Sequence, residues 1–98
     1  MARRRTKRLE WSPTALLELA AGLAFVAEDS GAAVSLVKQR IDVAARRVAR
    51  EPTVYRPGLI MGTRECVVAR TSYTLILEER EDSIVLLHCW HQRRRLNP

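Results

Sequence analysis

Residues 62–91 read GTRECVVARTSYTLILEEREDSIVLLHCWH, and the apolar positions of this stretch recur at period two, the spacing of a half-buried strand. The period predicts strands over 64–70, 73–79 and 83–91. Only Thr71-Ser72 and the charged turn Arg80-Glu81-Asp82 separate them. Links this short join antiparallel neighbours, so the three segments form a meander.

Upstream the period changes. Residues 51–61 hold Pro52 and the pair Pro57-Gly58 and read as a loop. Before it, Val34, Val37, Ile41, Ala44, Ala45 and Val48 recur at helical spacing while Lys38, Asp42, Arg46 and Arg50 fall on the other side. That pattern predicts a helix over 32–50. Ser30 can cap it, and Glu28-Asp29-Ser30-Gly31 breaks it from an earlier helix. The earlier helix starts at Ser12-Pro13: serine accepts from the first free backbone N–H groups, and proline at the first position arrives with φ already set. It runs to about Glu28. Leu16, Leu17, Ala20, Leu23, Ala24 and Ala27 give it an apolar face, and Leu19 with Phe25 or Val26 widens that face well beyond one stripe. Much of its circumference therefore asks for cover, from the second helix, the sheet or another molecule. Residues 7–11 alternate in polarity as a short strand.

The order is an N-terminal strand, an antiparallel helical hairpin and a three-stranded antiparallel meander. Segregated helices and strands define the α+β class, with the hairpin packed on one face of a small, mostly antiparallel sheet. At 98 residues the chain forms a single domain, with a basic N-terminal arm over 1–6 and a basic tail over 93–98. Apolar residues make up 47% and charged residues 29%, as expected of a folded core.

The net charge of +6 is concentrated at the ends, in Arg3, Arg4, Arg5, Lys7 and Arg8 and in Arg93, Arg94 and Arg95. Such clusters favour polyanions, either nucleic acid or an acidic protein. Few aromatics accompany them, so a stacking platform for single strands is not indicated. The two cysteines, Cys66 and Cys89, follow no metal-ligand spacing and read as packed thiols in a reducing cytosol. The basic N-terminus is followed by Glu10, Trp11 and Pro13 rather than an apolar run, and the most apolar stretch, 15–27, is too short to span a bilayer. The expectation is a soluble cytoplasmic protein without metal or cofactor.

Arg64 and Glu65, adjacent on one strand, point to opposite faces, and Arg64 suits either a structural ion pair or a phosphate contact. His91 shares parity with Val85, Leu87 and Cys89, while His88 alternates with Leu86 and Trp90 on the other face. That separation argues against a shared metal site. Three successive arginines, Arg93, Arg94 and Arg95, cannot all be satisfied inside a small domain and point to a partner.

Several local patterns resemble the ParE/RelE toxin superfamily of type II toxin-antitoxin systems. Glu10-Trp11-Ser12-Pro13 followed by Ala15 and Leu16 is similar to its strand-to-helix junction. The segment 62–68, GTRECVV, resembles the family's "GTRELVV"; residues 73–77, YTLIL, and 84–94, IVLLHCWHQRR, resemble its "YLIVYRV" and "V.ILRVLHGRR" strands. The resemblance covers residues 8–94. Two departures stand out: Gln92 replaces the usual glycine, and Leu77-Glu78 replaces an aromatic-arginine pair.

The RelE-like branch cleaves mRNA on the ribosome, and there the resemblance implies catalytic roles for His91, Arg64, Arg93 and Tyr73, with cations stabilising the phosphorane charge. No tyrosine follows the last strand, and the tail Arg95-Leu96-Asn97-Pro98 looks like the ParE branch, which poisons DNA gyrase without a known catalytic centre. The ParE-like reading implies a cognate antitoxin, toxin-antitoxin hetero-oligomers, and binding of antitoxin or target by Arg93, Arg94, Arg95, Leu16, Leu19 and Leu23. A plain basic nucleic-acid-binding module is the third reading; it predicts a steep salt dependence of binding.

Overall fold

Serine marks both helix starts. In a computed structural model, which describes residues 7–91, Ser12 Oγ accepts from the Ala15 N–H at 3.0 Å and opens α1 (Pro13–Asp29). Ser30 Oγ does the same for Ala33 at 3.3 Å and opens α2 (Gly31–Arg50). Ahead of them lies β1 (Arg8–Trp11). After α2 come a 3-10 turn (Pro52–Val54), β2 (Arg56–Pro57), β3 (Arg64–Val67), β4 (Tyr73–Glu79) and β5 (Ser83–His91). The described residues have the predicted α+β architecture: the helical hairpin covers one face of a single sheet of order β1-β5-β4-β3-β2.

Two details differ from the sequence expectation. The segment read as a loop contains β2, whose two residues pair antiparallel with Glu65 and Arg64. A two-residue strand is too short to show a period, and Pro57 has no N–H to give to a ladder, which an edge tolerates. The strand expected over 64–70 stops at Val67, because the Thr71 N–H and hydroxyl both turn back to the Val68 carbonyl at 3.2 and 2.9 Å. β1 runs parallel to β5 and the other pairings are antiparallel, which fits the mostly antiparallel sheet expected.

A bulge corrects the predicted faces of β5. Ile76 pairs with His88 and Leu77 with Leu86, so Leu87 is the extra residue. Parity shifts across it. His91 and Cys89 therefore share the helix-facing side with Leu86 and Ile84 rather than with Leu87 and Val85. The bulge is fixed from the helix side, since Ser12 donates its N–H to the Leu86 carbonyl (3.0 Å) and its hydroxyl to the Leu87 carbonyl (3.1 Å).

The core joins Ala15, Leu19, Ile41, Ala45 and Val48 of the helices to Tyr73, Leu75, Leu77, Ile84, Leu86 and Cys89 of the sheet. Burying each large apolar side chain here contributes about 1.5–3 kcal/mol. Cys66 and Cys89 flank Leu75 from opposite neighbouring strands, so they are not cross-strand partners, and both are free thiols.

Candidate functional site

α1 is apolar almost all the way round, and its lone charge before Glu28 is Glu18. Period alone cannot say which side of such a helix meets the sheet. The structure selects Ala15, Leu19 and Gly22 as the buried side, with Leu23 and Val26 half-buried. The selection follows from size. Gly22 lies over the Tyr73 ring, and a Cβ there would overlap the phenol hydroxyl. A side chain at 22 would hold the helix off the sheet.

Glu18 fixes the rotation of α1. β1 pairs with β5 only over Ser83 to Leu86, so among the described residues the edge of β5 opposite β4 has no strand beside it beyond the bulge. The Glu18 carboxylate takes that place. It accepts from the Cys89 backbone N–H (3.0 Å) and from Trp90 Nε1 (3.0 Å), and it lies 3.2 Å from His88 Nδ1. The His88 and Trp90 rings are held together by this contact, with centroids 4.7 Å apart. A single carboxylate thus replaces one missing strand position. A lone acidic residue in an otherwise apolar helical stretch was the available signal for this role.

With α1 so placed, Leu16, Leu17 and Phe25 are left 51, 72 and 40% exposed, and Ala20, Ala21, Ala24 and Ala27 are exposed beside them. This is a helix-long apolar surface. Of the three leucines singled out for a partner, Leu16 stands on it, Leu23 is half-buried against the core, and Leu19 lies inside the core at 9% exposure.

The residues proposed for acid-base chemistry separate into two places. Tyr73 pairs with His91 at one end of the sheet, both buried, with ring centroids 5.1 Å apart edge to face, and Phe25 of α1 closes over His91 at 5.7 Å. His91 is therefore packed between two aromatic rings. Arg64 pairs with Leu77, four residues along β4 from Tyr73, which is about 13 Å at a strand rise of about 3.3 Å per residue. Its guanidinium donates to the Tyr55 carbonyl at 2.9 Å. Along β4, Arg64 and His91 therefore stand four positions apart, on opposite neighbouring strands. Arg93, Arg94 and Arg95 lie outside the described residues.

Burial pushes the Cys89 thiol up to about 12, with the Glu18 carboxylate adding in the same direction, and burial also raises Cys66. Both thiols are protonated at neutral pH and suited to packing. Among the described residues no group of three or more His, Cys, Asp or Glu side chains could hold a metal, and no described helix is long and apolar enough to cross a membrane.

Comparison with known proteins agrees with this architecture. A family model described as the ParE toxin of type II toxin-antitoxin system, parDE, matches residues 9–96. A protein of Sinorhizobium fredii (strain NBRC 101917 / NGR234) named "Putative toxin Y4kP" is 36% identical over 69 residues, which is 70% of this chain and 72% of that one. A solved chain of the chromosomal ParDE TA system from P. aeruginosa superposes with a TM-score of 0.81 at 17% identity, covering 88% of this chain and 96% of that one.

Proposed function

Because the chain belongs to the ParE toxin family of type II toxin-antitoxin systems, we propose that it is a cytoplasmic toxin that arrests growth by binding and inhibiting DNA gyrase, and that a cognate antitoxin neutralises it. The observation that carries this reading is the outer surface of α1. A folded domain that keeps Leu16, Leu17 and Phe25 in water across one continuous helical face has a surface that a partner can dehydrate. An amphipathic antitoxin segment folding over this face would be driven by that apolar area. The basic residues Arg93, Arg94 and Arg95 would contribute to antitoxin or target contacts through their charge. Binding to gyrase needs no acid-base centre, and the burial of His91 between Phe25 and Tyr73 with Arg64 engaged elsewhere agrees with a toxin that works by contact.

Inducible expression in a bacterium, alone and with the protein encoded beside this chain, tests the reading. The expected result is growth arrest with filamentation and a DNA-damage response, relieved by the neighbour. Rapid translation-dependent mRNA cleavage, lost in His91→Ala or Arg64→Ala, would instead identify a ribosome-dependent endoribonuclease acting on mRNA. Unimpaired growth with folded protein present would contradict toxicity.

A further inference from the structure

β4 lies along one side of β5 from Ile84 to His91, but β1 covers the other side only as far as Leu86. There the chain leaves β1 at Trp11, caps at Ser12 and enters α1. Among the described residues no strand lies beside His88 to His91 on that side. An open strand edge is a template on which another strand can add.

The backbone at this edge is set for such pairing. The Cys89 N–H points away from β4, since it donates to Glu18 Oε1 at 3.0 Å. In an extended strand the N–H and C=O of one residue point the same way, so the Cys89 carbonyl also faces outward. Leu17, 72% exposed, and Ala21, also exposed, are near neighbours of Glu18 on α1 and would supply apolar contact beside an added strand.

Glu18 lies across this edge. Its carboxylate takes the Cys89 donor, accepts from Trp90 Nε1 at 3.0 Å and stands 3.2 Å from His88 Nδ1, so three neighbouring residues hold it in place. Any acceptor could fill the donor, but a carboxylate brings charge as well. Antiparallel pairing of two β5 edges about a twofold axis would set the Cys89 region of each copy against that of the other and bring the two Glu18 carboxylates together. Like charges opposed in a dehydrated contact are costly. A neutral or basic strand from another protein would meet no such repulsion.

We propose that Glu18 is a guard that keeps two copies of this chain from pairing edge to edge through β5, and that its removal lets them form a β5-paired dimer. The inference holds whatever the chain's target is.

The test compares the purified full chain with Glu18→Ala and Glu18→Gln by sedimentation equilibrium and by amide exchange at several protein concentrations. Glu18→Gln keeps an acceptor for the Cys89 N–H and loses the charge, so it decides the matter should the alanine variant fail to fold. Both variants are expected to dimerise at least tenfold more tightly than the parent. In Glu18→Ala the Cys89 amide is expected to exchange fast in dilute solution and to regain protection as concentration rises. A carboxylate with a structural role alone would leave that exchange fast at every concentration. Cys89 exchange in Glu18→Ala that does not change with concentration would overturn the inference, whether or not the mass rises through another surface such as α1. Dimerisation of Glu18→Gln within twofold of the parent would overturn it equally.

Discussion

α1 and α2 begin alike and finish with opposite outer surfaces. Each opens on a serine whose hydroxyl caps the third residue on, at 3.0 Å in α1 and 3.3 Å in α2. α2 then alternates as a surface helix should: Ile41, Ala45 and Val48 are buried, and Lys38 and Asp42 form an outward ion pair at 3.2 Å. α1 presents Leu16, Leu17, Ala20, Ala24 and Phe25 where α2 presents charge. Packing inside this domain therefore uses less apolar surface than α1 carries. The remainder is exposed, whereas Leu36 and Val43, the exposed large apolar residues of α2, lie along the side facing the β3 edge.

Ile41→Ala empties a fully buried site on α2 and is expected to lower stability by about 2–5 kcal/mol, read by denaturant melting. Gly22→Ala drives a methyl into the Tyr73 hydroxyl and should cost about 1–3 kcal/mol; Gly22→Ala combined with Tyr73→Phe should recover part of it. If Gly22→Ala melted like the parent, the close approach of α1 to β4 would be wrong. Glu18→Ala strips the acceptor from the Cys89 N–H and Trp90 Nε1 and is expected to cost about 1–3 kcal/mol, with faster exchange of the Cys89 amide as the local signature.

The outer faces sharpen the contrast. Leu17→Glu is expected to change stability by less than about 0.5 kcal/mol, because Leu17 is 72% exposed, yet to weaken antitoxin binding at least tenfold. Lys38→Ala on α2 should cost only about 0.3 kcal/mol, the worth of an exposed i,i+4 pair, and leave antitoxin affinity where it was. Equal effects of these two substitutions on the complex would erase the distinction between the helices.

Much of the architecture is legible in the sequence. Ser12-Pro13 and the Glu28 to Gly31 break place both helices, and period two places β4 and β5, because each signal is local and repeated over many residues. What escapes is set by single residues or by geometry across strands. β2 is two residues long. The bulge at Leu87 reverses which neighbours share a face with His91, and nothing in the strand's own alternation marks an extra residue. The buried side of α1 is decided by where Gly22 meets Tyr73, a contact between residues 51 positions apart. At the candidate site, the surplus of apolar residues on α1 is visible in advance, while the role of Glu18 depends on where β1 stops pairing.

We propose that this chain acts by binding gyrase. Supercoiling of relaxed plasmid by purified DNA gyrase, with increasing amounts of the purified chain and then of its antitoxin, tests it most directly. Supercoiling is expected to be lost as the chain is added and to return when antitoxin is supplied. Full supercoiling at a large excess of folded chain, with mRNA cut on translating ribosomes in a parallel reaction, would contradict it.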